Sequence, residues 1–313
     1  MPKKLSKKPK LRVIDKILSK FDVVYVMNRW IFLIFVLLIG CMPPMPPSPA
    51  PIESPQRIIS TQPSITEVLF DIGVGDRIVG DSSFTKYPPE SASIDKIGGL
   101  YDINREKIIS LRPDVIILSD ENTALRKSLS APVLLVNHRS LSGVLDSYLI
   151  IGAVFGEDVL TTAQQKRQEL LGQLEQFEAR IKGRKPIRTL VAIDRSGGTG
   201  RIQNLFVAGA DSFWDEVVTQ AGGENVAASV GLLAPQLTAE GVIHLAPDVI
   251  IDLHIGGVEA TQSESDWNSL GNSVPAVKNR RILTLTDDFA TIPGPRTPML
   301  IEKVIQYFES LDF

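Results

Sequence analysis

From Arg57 onward, short aliphatic runs alternate with segments of helical spacing. Arg57-Ile58-Ile59-Ser60 predicts a strand, and Thr61–Ser64 punctuates it. Ile65–Ile72 then reads as a helix, with Ser64 or Thr61 as its cap and Gly73-Val74-Gly75 as its stop. Further short strands are predicted at Ile78–Gly80, Val133–Val136 and Leu190–Ile193. This alternation predicts an α/β fold with mostly parallel sheets. Between Val159 and Lys182, apolar residues recur at Leu160, Ala163, Leu170, Leu174, Phe177 and Ile181 among Gln, Lys, Arg and Glu. That period predicts one amphipathic helix of roughly 36 Å, ended by Gly183 and Pro186.

The chain also repeats itself. Glu106–Ile117 reads EKIISLRPDVII, and Glu240–Ile251 reads EGVIHLAPDVII. The copies are 134 residues apart and agree at eight of twelve positions without a gap. Each predicts a short helix, a Pro-Asp stop and a buried apolar strand, with Asn104 or Thr238 at the N-cap. Two such units predict two similar lobes, with the long helix as a strut between them.

Composition narrows the class. The 313 residues are 43% hydrophobic and 22% charged, which excludes a mostly disordered, collagen-like or coiled-coil chain. A single cysteine excludes an internal disulfide and a Cys-based zinc or iron–sulfur site. Residues 1–29 carry nine Lys/Arg and two Asp, about +7, so the remainder carries −10 of the net −3. An acidic body argues against nucleic acid as a partner.

Trp30–Gly40 is apolar and uncharged, but too short to span a bilayer as a helix. It has the size of a signal-peptide core. The following Leu38-Ile39-Gly40-Cys41 resembles the bacterial lipobox, which implies cleavage before Cys41 and its lipidation. Residues 1–40 are therefore expected to be a signal peptide, with Met27 as the expected true start and 1–26 as an extension. Met42–Pro55 holds seven prolines in fourteen residues, an extended spacer after the anchor.

From Arg57 to the end, the motifs RIISTQPSITEVLFDIGVGDRIVG, YPPE at Tyr87–Glu90, IGG at Ile97–Gly99, the two repeats, AGGENVAA and PAVKNRRILTL stand in order. In these blocks the chain resembles the ABC-transporter solute-binding proteins that carry ferric siderophores, haem or cobalamin. The resemblance implies two Rossmann-like α/β lobes joined by one long helix, the helical-backbone architecture. The expected layout is a lipidated Cys41 and Pro-rich linker over 41–56, an N-terminal lobe over 57–157, a connecting helix over 158–184 and a C-terminal lobe over 185–313. It also implies delivery of a small-molecule metal chelate to an ABC permease dimer with its ATPase, on the periplasmic or cell-surface side of a bacterial membrane. By motif position, Glu106 and Glu240 correspond to the acidic residues that dock on permease arginines. Phe84, Tyr87, Leu100, Tyr101 and Phe206 fall in stretches that pack against ligand in that family.

Open parallel sheets bind ligands beyond their C-terminal strand ends. That rule adds Asp120, His138 and His254 to the candidate cleft. Arg195, Arg201 and Arg296 are candidates to hold a carboxylate or catecholate by charge-assisted bonds. The arginines favour a negatively charged iron chelate over cobalamin, and no Trp falls at the cleft positions. No Gly-x-Ser-x-Gly, His-Glu-x-x-His or dinucleotide-binding fingerprint is present, so the expectation is a binding protein with no catalytic residues, cofactor or resident metal. The alternatives are a zinc- or manganese-binding relative, built on His138, His254 and Asp120, and a lipoprotein that senses its ligand without transporting it.

Overall fold

The computed structural model describes residues 54–99, 102–119, 126, 129–196, 201–254 and 265–312. The expected signal segment, Cys41 and most of the Pro-rich stretch lie outside them, as do Leu100, Tyr101 and Asp120. Among the described residues, no helix is long and apolar enough to cross a membrane.

The first lobe is a five-stranded sheet. Its strands are β1 (Ile58–Ser60), β2 (Ile78–Asp81), β3 (Asp95–Lys96), β4 (Val115–Ser119) and β5 (Val133–Val136). They lie in the order β3-β2-β1-β4-β5, and every pairing is parallel. Helix α1 (Pro63–Asp71) follows β1, α2 (Arg105–Ser110) precedes β4, and α3 (Leu141–Gly152) follows β5. The start of α1 differs from the sequence expectation. Gln62 takes the capping position without a side-chain bond, and Pro63 opens the first turn. Proline has no amide to satisfy there, so a side-chain cap is less needed.

One helix, α4 (Glu157–Ile181), leads to the second lobe. Ala163, Leu170 and Leu174 are its buried face. A single apolar cluster runs from Ile58, Val68 and Ile117 through Tyr148, Ala163 and Leu174 to Val217, Val249 and Val304. Side chains pin both halves of α4: Lys166 pairs with Asp71, and Arg180 pairs with Glu302 and Glu309.

The second sheet holds β6 (Ile187–Ser196), β7 (Gln203–Val207), β8 (Gly223–Asn225), β9 (Gln236–Leu237), β10 (Val249–Leu253) and β11 (Ile282–Leu285). Its order is β11-β10-β6-β7-β9, with β8 beside the start of β6. β7 runs antiparallel to both β6 and β9, and the other pairings are parallel. Helices α5 (Phe213–Gln220), α6 (Ala239–Leu245), α7 (Pro275–Lys278) and α8 (Thr297–Glu309) belong to this lobe. Trp214 is buried on α5, and its indole N–H donates to the Ala290 carbonyl at 3.0 Å.

The sequence repeat is a structural repeat. Asn104 caps α2 by accepting from the Lys107 amide, and Thr238 caps α6 by accepting from the Gly241 amide. Both helices end on a non-glycine residue in the left-handed region, Arg112 at φ 46° and Ala246 at φ 43°. The amides of Asp114 and Asp248 then donate to the Arg57 and Arg188 carbonyls, each at 2.8 Å. The same arginines reach back to the helix ends, Arg57 to the Leu111 carbonyl and Arg188 to the Leu245 carbonyl, each at 2.6 Å. Cationic side chains at these points satisfy carbonyls that a helix end leaves open.

Replacing either cap by alanine, Asn104→Ala or Thr238→Ala, is expected to cost about 1 kcal/mol. Urea unfolding checks this: the midpoint should fall while the slope stays constant.

Candidate functional site

Beyond the C-terminal ends of the parallel strands, the first turn of α1 meets the segment that leads into α8. The Cβ position of Gly294 would lie 3.4 Å from Glu67 Oε2 and 3.8 Å from the Ser64 Cα. Arg296, two residues on, is the centre of this contact. Its Nε and Nη2 donate to the two Glu67 oxygens at 3.0 and 2.6 Å, and its Nη1 donates to Asp288 at 3.0 Å. The Tyr87 ring lies 4.4 Å from the guanidinium carbon and the Phe289 ring 5.3 Å. Glu67 is nearly fully buried on α1, so burial pushes its carboxyl up while Arg296 opposes the shift. A bidentate, stacked guanidinium is the arrangement that keeps such a carboxylate charged.

A second contact joins the lobes where β5 gives way to α3. The Leu141 amide donates to Glu216 of α5. Beside it lies a cavity of about 410 Å³ lined by Asn137, Arg139, Ser140, Asp211, Asp215, Glu216 and Leu233.

Arg195 lies on β6 and is buried. Its Nη2 donates to Asp252 at 3.0 Å and its Nη1 to Asp266 at 2.5 Å. His254 Nε2 lies 2.9 Å from Asp252 and 3.1 Å from Arg195, and the Trp267 indole N–H donates to Asp252 at 2.7 Å. Expecting Arg195 and Arg296 to be available cations therefore needs correction. Both are neutralised by carboxylates, because a guanidinium removed from water must be paired. Arg201 is exposed. The partners Glu67, Asp252, Asp266 and Asp288, and the ring of Phe289, were absent from the candidate set. A faint signal existed for Glu67, an acid flanked by Ile65, Val68 and Leu69.

His138 and His254 are both buried, so neither projects into open solvent. His138 Nδ1 lies 2.9 Å from the Ser64 hydroxyl, and burial alone pushes the ring down to about 3. Its Nε2 has no partner among the described residues. Asp81, at the end of β2, behaves oppositely: burial raises its carboxyl to about 6 although Lys96 donates to it at 2.7 Å. Among the described residues, no group of three or more His, Cys, Asp and Glu is placed to hold a metal ion.

Three aromatic candidates remain open to solvent: Phe84 at 63%, Tyr87 at 43% and Phe206 at 37%. Phe84 lies over the backbone turn at Gly99, where a Cβ would come within 2.7 Å of its ring. A side chain there would push the Phe84 ring aside. Asp102 holds the turn by accepting from the Gly99 amide at 2.8 Å.

Two α/β lobes joined by one helix, with paired side chains closing the space between them, define a two-lobed solute-binding protein. The family profile described as Periplasmic binding protein matches residues 58–289, and the chain belongs to this family. It is 29% identical over 269 residues to a Bacillus subtilis protein named as an uncharacterized ABC transporter substrate-binding lipoprotein, YvrC, covering 83% of this chain and 81% of that one. It is 24% identical to the vitamin B12-binding protein of Vibrio parahaemolyticus, covering 83% of this chain and 91% of the relative. The crystal structure of the periplasmic vitamin B12-binding protein BtuF of Vibrio cholerae superposes with a TM-score of 0.70 at 23% identity, covering 82% of this chain and 97% of that one.

Arg296→Met leaves Glu67 buried without its cation and is expected to cost about 3–5 kcal/mol. Adding Glu67→Leu should recover most of that loss, as a double-mutant cycle on unfolding free energies would show.

The folded state keeps His138 neutral, whereas the unfolded chain takes up a proton below the ordinary 6.5. Stability should therefore fall as pH drops from 6.5 towards 3, by at most about 1.4 kcal/mol per pH unit. His138→Gln, which cannot titrate, should lose less stability between pH 6 and 4 in chemical denaturation. The opposing contribution of Asp81, which favours the folded state as pH falls through about 6, is common to both proteins and cancels in the difference.

Proposed function

We propose that this protein captures a bulky metal chelate between its lobes and delivers it to an ABC permease dimer with its ATPase. The preferred cargo is a neutral, corrinoid-type chelate rather than a strongly anionic ferric siderophore. One observation carries that preference. Among the described cleft candidates, the exposed side chains are chiefly aromatic, namely Phe84, Tyr87 and Phe206, while Arg195 and Arg296 already hold carboxylates. Aromatic faces suit a large, flat ring system. An anionic ligand would have to compete with Glu67, Asp288, Asp252 and Asp266 for the two paired cations. The similarity to a vitamin B12-binding protein supports the same reading.

In this reading Arg201 contributes to the mouth of the cleft, and His138 and His254 stiffen its floor. Glu106 and Glu240 dock on permease cations at the outer rim. Both are exposed in the first turns of equivalent helices. Lipidated Cys41 holds the protein to the outer side of a bacterial membrane, and the Pro-rich spacer sets it off the surface.

The lipid-free chain from Met42 onward tests the cargo. Tryptophan fluorescence and melting temperature would be followed against cobalamin, haem, ferric citrate, catecholate and hydroxamate siderophores, zinc and manganese. Saturable binding of cobalamin at about micromolar or tighter, weakened at least tenfold by Phe84→Ala or Phe206→Ala, is expected. Binding of an anionic siderophore alone would reverse the cargo preference. A response to zinc or manganese alone would move the protein to the metal-ion branch.

A further inference from the structure

The repeated helices share more than their acidic residues. On α2, Ile108 is buried at 1% exposure and Ile109 is 58% exposed. On α6, the residues 134 positions later are Val242 at 0% and Ile243 at 38%. Each exposed isoleucine stands three residues after an exposed glutamate, Glu106 or Glu240. Residues three apart share a helix face with Cβ atoms about 5–6 Å apart. Each helix therefore presents one carboxylate beside one branched aliphatic side chain. The remaining exposed positions differ between the copies: Arg105 stands where the second has Ala239, and Ser110 where it has His244. Hydrogen bonds from its own backbone amide and from the Thr238 hydroxyl hold the Glu240 carboxyl below its ordinary range.

A single exposed isoleucine needs no explanation. Two at the same place in a duplicated unit, each beside a carboxylate, are a pattern. The folding devices around them do not require it. Ile108 and Val242 supply the buried anchor, the caps and the Arg57 and Arg188 bonds fix the helix ends, and Ile109 stays largely and Ile243 partly in water.

We propose that Ile109 and Ile243 are apolar anchors of the docking surface, each seated in an apolar socket beside a cation on one subunit of the two-fold permease dimer. The proposal rests on the docking role given to Glu106 and Glu240 and adds the contact that is independent of charge. Charge selects this occupant over a second copy of the chain, because residues 30–313 carry a net −10 and two acidic bodies repel. Duplication selects a partner that offers the same chemistry twice. The carboxylates steer the encounter, and the isoleucines, once desolvated, slow dissociation.

The test uses the full chain and its cognate permease–ATPase complex in lipid nanodiscs, with binding followed by interferometry at low and high salt. Ile109→Ser or Ile243→Ser alone is expected to weaken binding about tenfold, and the double variant about a hundredfold. That loss should reside in the dissociation rate and persist at high salt, with affinity for the small-molecule ligand unchanged. Glu106→Gln/Glu240→Gln should instead slow association, with a loss that shrinks as salt rises. If the double isoleucine variant binds within about twofold of the parent while the glutamate variant fails, the anchors are refuted and the acidic docking stands. If neither pair matters, the docking role itself falls, and the anchors with it.

Discussion

A buried carboxylate on the first helix sets the terms for the meeting of the lobes. Glu67 lies on α1 of the first lobe among Ile65, Val68 and Leu69, where water cannot solvate its charge. Its compensating cation comes from the other lobe, as Arg296 at the entrance to α8. The pair is held bidentate, with Asp288 on the third guanidinium nitrogen and Tyr87 and Phe289 against its face. Charges this poorly hydrated tolerate little displacement, because separation exposes each to its full desolvation penalty. The relative placement of α1 and α8 is thus tied to one charge pair as well as to apolar packing.

That tie is reinforced by the strut. Helix α4 offers a narrow buried face, and the apolar cluster continues across it from one sheet to the other. Polar clamps hold both halves of it, Lys166 on Asp71 and Arg180 on two glutamates of α8. A continuous core seam and a charged contact near the strand ends constrain the same two bodies from different sides. Of the exposed aromatic side chains, Tyr87 stacks on Arg296, whereas Phe84 and Phe206 take no part in that charged contact.

The duplicated helix–strand unit shows how little sequence is needed to place a surface residue. A cap, one buried aliphatic residue, a left-handed exit, a proline and an arginine from the neighbouring strand recur in both lobes. Together they fix a helix of only six or seven residues, too short to be stable alone. What such a unit presents outward is then free to be chosen by a partner rather than by the fold.

The sequence by itself determined the alternation of strands and helices, the position of the long helix, the repeat and both of its caps, Asn104 and Thr238. These follow from local periodicity and from hydrogen bonds between residues three positions apart, which a linear reading can see. The α/β architecture of two lobes was legible for the same reason. The state of the arginines was not. Arg195 meets Asp252 and Asp266 across 57 and 71 residues, and Arg296 meets Glu67 across 229. No spacing rule links such positions, because only the packed sheets and the return of the chain onto α1 bring them within hydrogen-bond distance. The reversed direction of β7 was equally hidden, since strand direction within a sheet depends on how the connections close in space. Tertiary structure therefore decided which charges are spent inside the protein, and the sequence had already decided which faces it keeps outside.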